Sequence, residues 1–106
     1  MANTFDFGKI KKKYFNITLT DGTKLQVRTP VKRVYEKMRK IDTSPESDQA
    51  EQADALFELC AEILSNNVEG KVLTTEYVAE NFDYEDVSLF IVAYYEYVQE
   101  AITSPN

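Results

Sequence analysis

Nineteen consecutive residues, Asp83 to Ala101, read as one helix, and they constrain the rest of the chain more than any other stretch. Val87, Phe90, Ile91, Tyr94, Val98 and Ala101 recur at three-and-four spacing and make one wide apolar face. Asp83 suits an N-cap, and Glu85 and Asp86 set negative charge in the first turn, where the helix dipole is positive. Leu89 and Val92 break the pattern, because a turn of about 100° per residue points them away from that face. A helix apolar on nearly all sides in its first half is buried between other elements or carries a second contact. The expectation is a central helix on which the other elements pack, with residues 102–106 fraying beyond it.

The basic and acidic residues are segregated along the chain. Through Ile41 there are eleven bases against Asp6, Asp21 and Glu36, a net +8; from Asp42 onward Lys71 stands alone against fifteen acids, a net −14. Two arrangements satisfy such a split. A basic hairpin and helix dock on an acidic helical layer of the same molecule, or copies associate head to tail and steer a charged partner.

Tyr14 to Arg28 has the alternation of a β-hairpin, with Phe15, Ile17 and Leu19 on one arm and Leu25 and Val27 on the other. A two-residue loop at Asp21-Gly22 would pair Leu19 with Lys24 and mix the faces. A three-residue loop, Thr20-Asp21-Gly22, pairs Ile17 with Leu25 and Phe15 with Val27, and puts Gly22 where a left-handed residue is needed. Upstream, Phe5 and Phe7 alternate in a way that suits an extra edge strand or a cover over the core. Lys11-Lys12-Lys13 is a short basic run that reads as a solvated strand entrance.

Three more helices precede the one at Asp83. Thr29 and Pro30 give a cap and a first helical residue, and Val31, Val34, Tyr35, Met38 and Ile41 line one face of a basic amphipathic helix. Ser44-Pro45-Glu46 repeats that signal for a second helix, starting near 45–48 and running to about Ser65. Its apolar stripe is Ala53, Phe57, Cys60 and Leu64, widened by Leu56 and Ile63; its acidic stripe is Glu51, Asp54, Glu58 and Glu62. Asn66-Asn67 suits a left-handed helix end. A short helix over about Thr74 to Asn81 follows. The fold class is therefore α+β, an N-terminal hairpin packed on about four α-helices. At 106 residues it fits one domain, 1–106, with a hairpin region through residue 30 and a helical region over 31–106. The core is expected where Phe57, Leu64, Phe90, Ile91, Tyr94 and Val98 meet.

Composition narrows the chemistry. With no histidine and one cysteine, Cys60, a zinc site of normal type and a histidine-activated nucleophile are both excluded. Glycines at 8, 22 and 70 are too far apart to form a phosphate-cradling loop. No catalytic residues, cofactor or metal are expected, and an enzyme is not the reading. A single cysteine has no intramolecular disulfide partner, no apolar run approaches the ~20 residues of a bilayer span, and Met1 to Gly8 lacks a signal-peptide pattern. A cytoplasmic protein without a membrane partner is expected.

Several stretches taken together resemble the small tail assembly chaperones of long-tailed phages and prophages. They are the opening Phe5-Asp6-Phe7-Gly8-Lys9-Ile10-Lys11-Lys12-Lys13-Tyr14-Phe15, the hairpin around Asp21-Gly22, the basic helix after Pro30 and the acidic helix to Ser65. Asn66-Asn67-Val68-Glu69-Gly70-Lys71, Thr74-Thr75-Glu76-Tyr77-Val78 and the aromatic last helix with Phe90, Tyr94, Tyr95 and Tyr97 continue the likeness over nearly the whole chain. The resemblance implies a role in tail morphogenesis in the bacterial host cytoplasm: coating the tape-measure protein and handing it to tail-tube protein subunits. It also implies a longer, frameshifted form in many members. No catalytic residue carries over.

A holdase of that kind needs apolar surface beyond its own core. Leu89, Val92, Tyr95 and Glu96 are the candidate protein interface, for a tape-measure helix or a second copy making a homo-oligomer. The competing arrangement has the hairpin cover this face. A different function class, a small nucleic-acid-binding or regulatory module or an inhibitory protein, would use the basic hairpin and first helix; the net −14 of the remainder argues against nucleic acid.

Overall fold

The computed structural model describes residues 4–42 and 49–103, the side chains of 42 and 49–51 excepted. Its strands are β1 (Phe15–Thr18) and β2 (Lys24–Val27), followed by helices α1 (Lys32–Asp42), α2 (Gln49–Ser65), α3 (Thr75–Asn81) and α4 (Tyr84–Thr103). The α+β class is as the sequence indicates: an antiparallel hairpin, then four helices among the described residues. The expected start of the second helix at 45–48 lies outside the described residues.

The hairpin forms in the expected register, Phe15 opposite Val27 and Ile17 opposite Leu25. Leu19 N–H donates to Thr23 C=O at 2.8 Å and Gly22 N–H to Leu19 C=O at 2.9 Å, leaving Thr20-Asp21-Gly22 as the loop. Gly22 has φ +90°, the left-handed conformation such a turn requires. Asp21 Oδ1 accepts from Thr23 N–H at 2.9 Å and fixes the turn from its own side chain. One face of the hairpin is buried through Leu19, Leu25 and Val27, while Asn16, Thr18, Lys24 and Gln26 face solvent.

No third strand pairs with the hairpin among the described residues. Phe5 and Phe7 neither add an edge nor cover the core. A single 3-10 turn, Phe7–Lys9, capped by the Asp6 carboxylate on Gly8 N–H, holds the two rings edge-to-face at 4.8 Å in solvent. The outer edge of β2 is met from elsewhere. Arg28 N–H donates to Asn66 C=O, Val68 N–H to Gln26 C=O, and Gln26 N–H to Glu69 Oε1, each at 3.0 Å.

This changes the role of Asn66-Asn67. Neither residue is left-handed; the positive φ falls on Gly70 instead. Asn67 is buried, with its Nδ2 donating to Leu64 C=O at 2.7 Å and Lys71 C=O at 2.9 Å, and its Oδ1 accepting from Lys71 N–H at 2.9 Å. Its side chain closes the turn that brings the chain alongside β2, a task an amide can do because it donates and accepts at once.

Two helix starts differ in outcome. α4 begins as its sequence indicates: Asp83 Oδ1 accepts from Asp86 N–H at 2.8 Å while Asp86 Oδ2 accepts from Asp83 N–H at 3.0 Å, a reciprocal capping box. It runs on to Thr103, two residues beyond Ala101. α1 starts later than Thr29-Pro30 suggests. Val31 C=O takes the first helical hydrogen bonds, from Val34 and Tyr35, and Val31 itself is exposed. Thr29 C=O is instead engaged by Asn66 Nδ2 at 3.2 Å.

The central helix is α2, not α4. α2 packs against α1, α3, α4 and β2, and buries Leu56, Leu59, Cys60, Ala61, Ile63 and Leu64 around its axis. α4 contributes Val87, Tyr94 and Val98 to the same core, whereas Phe57, Phe90 and Ile91 are only partly covered. The aromatic side of α4 receives the hairpin: Phe15 lies against Phe90, Tyr94 and Tyr97 at ring distances of 6.1, 6.0 and 5.2 Å. One link between the basic and acidic parts is direct, since Glu62 Oε1 accepts from Lys37 at 2.9 Å and from Arg33 at 3.3 Å.

Candidate protein-binding surface

With the hairpin on the aromatic side of α4 and α2 beneath it, the remaining side of the helix faces solvent. Leu89 is 65% exposed and Val92 59%. Four residues on from each, Ala93 and Glu96 are exposed too, and Glu85 and Glu100 continue the stripe a turn away at each end. The hairpin does not cover this face. Tyr95 differs from its neighbours, being partly buried against the core at the border of the stripe. Leu89, Val92 and Glu96 thus share one surface, and Tyr95 flanks it.

The stripe is apolar in the middle and acidic at its two ends, and α4 contains no lysine or arginine to neutralise it. Neighbouring exposed apolar side chains of this kind are candidates for contact with another surface. The acids at its ends are complementary in charge to basic groups.

Beside this stripe, between β1 and the first turns of α4, the chain leaves a groove of about 370 Å³. Ile17 and Leu19 form one wall, Phe82, Leu89 and Phe90 the other, and Cys60 and Leu64 the floor, with Asp86 contributing charge. Burial pushes the Cys60 thiol up to about 12, so it stays protonated and serves as apolar floor, not as a nucleophile. Sequence reasoning found Leu89 but not the groove. The alternation puts Ile17 and Leu19 on one apolar side of the hairpin, and no periodicity reveals a gap between two elements distant in sequence.

A further exposed apolar feature lies in the arm before β1. Phe5 is 67% exposed and Phe7 77%, and Ile10 also reaches solvent among Lys9, Lys11, Lys12 and Lys13. Its root is fixed where the Tyr97 hydroxyl donates to Lys13 C=O. The bases of α1 and the hairpin are more engaged. Arg33 and Lys37 share Glu62, and Arg28 donates to Asn67 C=O at 2.9 Å.

Fold and surface together define a small α+β protein whose prominent surface features suit protein–protein contact. No family model, no curated protein and no solved structure matches the chain. Among the described residues no helix is long and apolar enough to cross a membrane, and no three His, Cys, Asp or Glu side chains are grouped to hold a metal ion.

Proposed function

We propose that the chain is a tail assembly chaperone of the long-tailed phage type, acting in the bacterial host cytoplasm. It would hold the tape-measure protein by protein–protein contacts and release it to tail-tube protein subunits, working as a homo-oligomer. The observation that carries this reading is the solvent-facing stripe of α4, Leu89 and Val92 among Glu85, Glu96 and Glu100. An amphipathic helix with bases before and after its apolar residues fits such a stripe by burying those residues and pairing its charges. The resemblance over nearly the whole sequence supplies the partners.

The test is Leu89→Asp combined with Val92→Lys, scored for folding and for solubilisation of the co-expressed tape-measure protein. Both positions are exposed, so the folded state should be retained within about 0.5 kcal/mol. Retained folding with an insoluble tape-measure protein supports the proposal; retained folding with full solubilisation removes it.

A further inference from the structure

The free edge of β1 and the groove beside it form a second surface, which shares Leu89 with the helical stripe and adds main-chain hydrogen-bonding groups. β1 pairs with β2 through Phe15, Ile17 and Leu19, so Asn16 and Thr18 direct their backbone N–H and C=O outward, to the side away from β2. β2 is covered by 66–69, but none of the outward groups of Asn16 and Thr18 has a backbone partner among the described residues. An edge of unpaired N–H and C=O groups is a template for another strand. Here it borders an apolar groove, so an added strand would gain main-chain hydrogen bonds and bury side chains together.

We infer that this edge and groove take the N-terminal arm, residues 4–13, of a second copy of the chain. The inference deepens the self-association named above and rests on it. Three observations select the occupant. Phe5 and Phe7 are two residues apart, so in an extended segment both rings project to one face, and both are now in solvent. Lys9, Lys11, Lys12 and Lys13 follow them and are exposed, while the charge at the groove is acidic, Asp86 with Asp83 and Glu85 beside it. Only one 3-10 turn, with the Asp6–Gly8 cap, must open for the arm to extend.

The donor and acceptor surfaces lie apart on each molecule. The arm is rooted at Tyr97, whereas the groove borders Asp86 to Phe90, about 10–16 Å away along α4 at 1.5 Å per residue. Because arm and groove are separate patches, a reciprocal exchange of arms closes a dimer, and a one-way exchange builds rings or open chains.

The experiment uses two full-length variants and their mixture. Phe5→Asp with Phe7→Asp disables the arm. Thr18→Pro disables the edge; it removes an outward N–H and leaves the β1–β2 hydrogen bonds intact. Thr18→Lys, which sets a charge at the exposed rim of the groove without changing the backbone, is a second edge variant should the proline unfold the hairpin, and circular dichroism checks the fold of each. In sedimentation the native chain should associate with rising concentration. Each variant alone should lose about thirtyfold or more in affinity, the scale of one removed aromatic anchor. Mixed, one arm variant and one edge variant should form a heterodimer and stop there, because one intact arm meets one intact groove.

A native chain that stays monomeric overturns both the self-association and the arm contact. Native-like association of either folded variant, or a mixture that gives no heterodimer, overturns the arm contact alone. Solubilisation of the tape-measure protein by the arm variant is read separately, so failure of the arm contact does not count against the chaperone reading.

Discussion

The hydroxyl of Tyr94 donates to the backbone carbonyl of Arg28 at 2.7 Å, across 66 positions of sequence. The bond ties the middle of α4 to the end of β2, and Tyr94 is fully buried while making it. Burial, with a smaller contribution from neighbouring Tyr97, pushes the Tyr94 hydroxyl well above its ordinary value, so it remains a donor throughout the physiological range.

Tyr94→Phe keeps the ring and deletes the donor, leaving the Arg28 carbonyl without it. The expected loss is about 1–3 kcal/mol, read by urea denaturation, with the native fold retained. Tyr94→Ala also opens a cavity and should cost more, about 3–5 kcal/mol. Equal stabilities for Tyr94→Phe and the native protein would mean that the hydrogen bond contributes nothing net.

Gly22 is a cleaner backbone test. A Cβ at this position meets nothing within 4 Å, so any loss comes from its φ of +90° and not from a clash. Gly22→Val should cost more than about 1 kcal/mol, and Gly22→Asn less, since asparagine tolerates the left-handed region. An unchanged melting temperature for Gly22→Val refutes the turn assignment.

Asn67→Ala removes three side-chain hydrogen bonds in a buried turn that lies along the edge of β2. A loss of about 2–3 kcal/mol is expected. Hydrogen exchange should show it locally, with the amides of Gln26 and Arg28 losing protection, because both donate to 66–69. Unchanged protection at those two amides would separate Asn67 from the covering of β2.

Glu62 carries a pH dependence. Burial alone would raise its carboxyl, but hydrogen bonds from Lys37 and Arg33 outweigh burial and hold it below its ordinary value of 4.5. A carboxyl depressed in the folded state stabilises fully above its unfolded value, and that stabilisation is lost as pH falls through the folded one. The melting temperature of the native protein should therefore exceed that of Glu62→Gln near neutral pH, with the gap closing as pH drops below about 4.5. A gap that stays constant from pH 7 to 3 rules this out.

How much was legible in the residues varies by element, and the reasons are physical. The hairpin register was readable because a strand has period two and one slip exchanges every face; a two-residue loop mixes the faces, whereas the three-residue loop through Gly22 sets Ile17 opposite Leu25. The start of α4 was readable because Asp83 and Asp86 complete their capping box within four residues. Such devices close over short distances, so the local sequence contains all their parts.

Where an interaction partner lies far along the chain, the sequence was silent or misleading. Thr29-Pro30 looks like a helix start, yet Asn66 engages Thr29 C=O and the helix begins later. Asn66-Asn67 looks like a left-handed cap, yet β2 draws the segment into an extended bridge. Leu59 lies outside the stripe read from α2, yet it is buried, because that helix is surrounded by α1, α3, α4 and β2. Leu89 and Leu59 are both leucines on long apolar helices, one in solvent and one in the core. Spacing settles which residues share a face of a helix; which face is covered depends on the elements that arrive from elsewhere in the chain, and only the tertiary structure decided that.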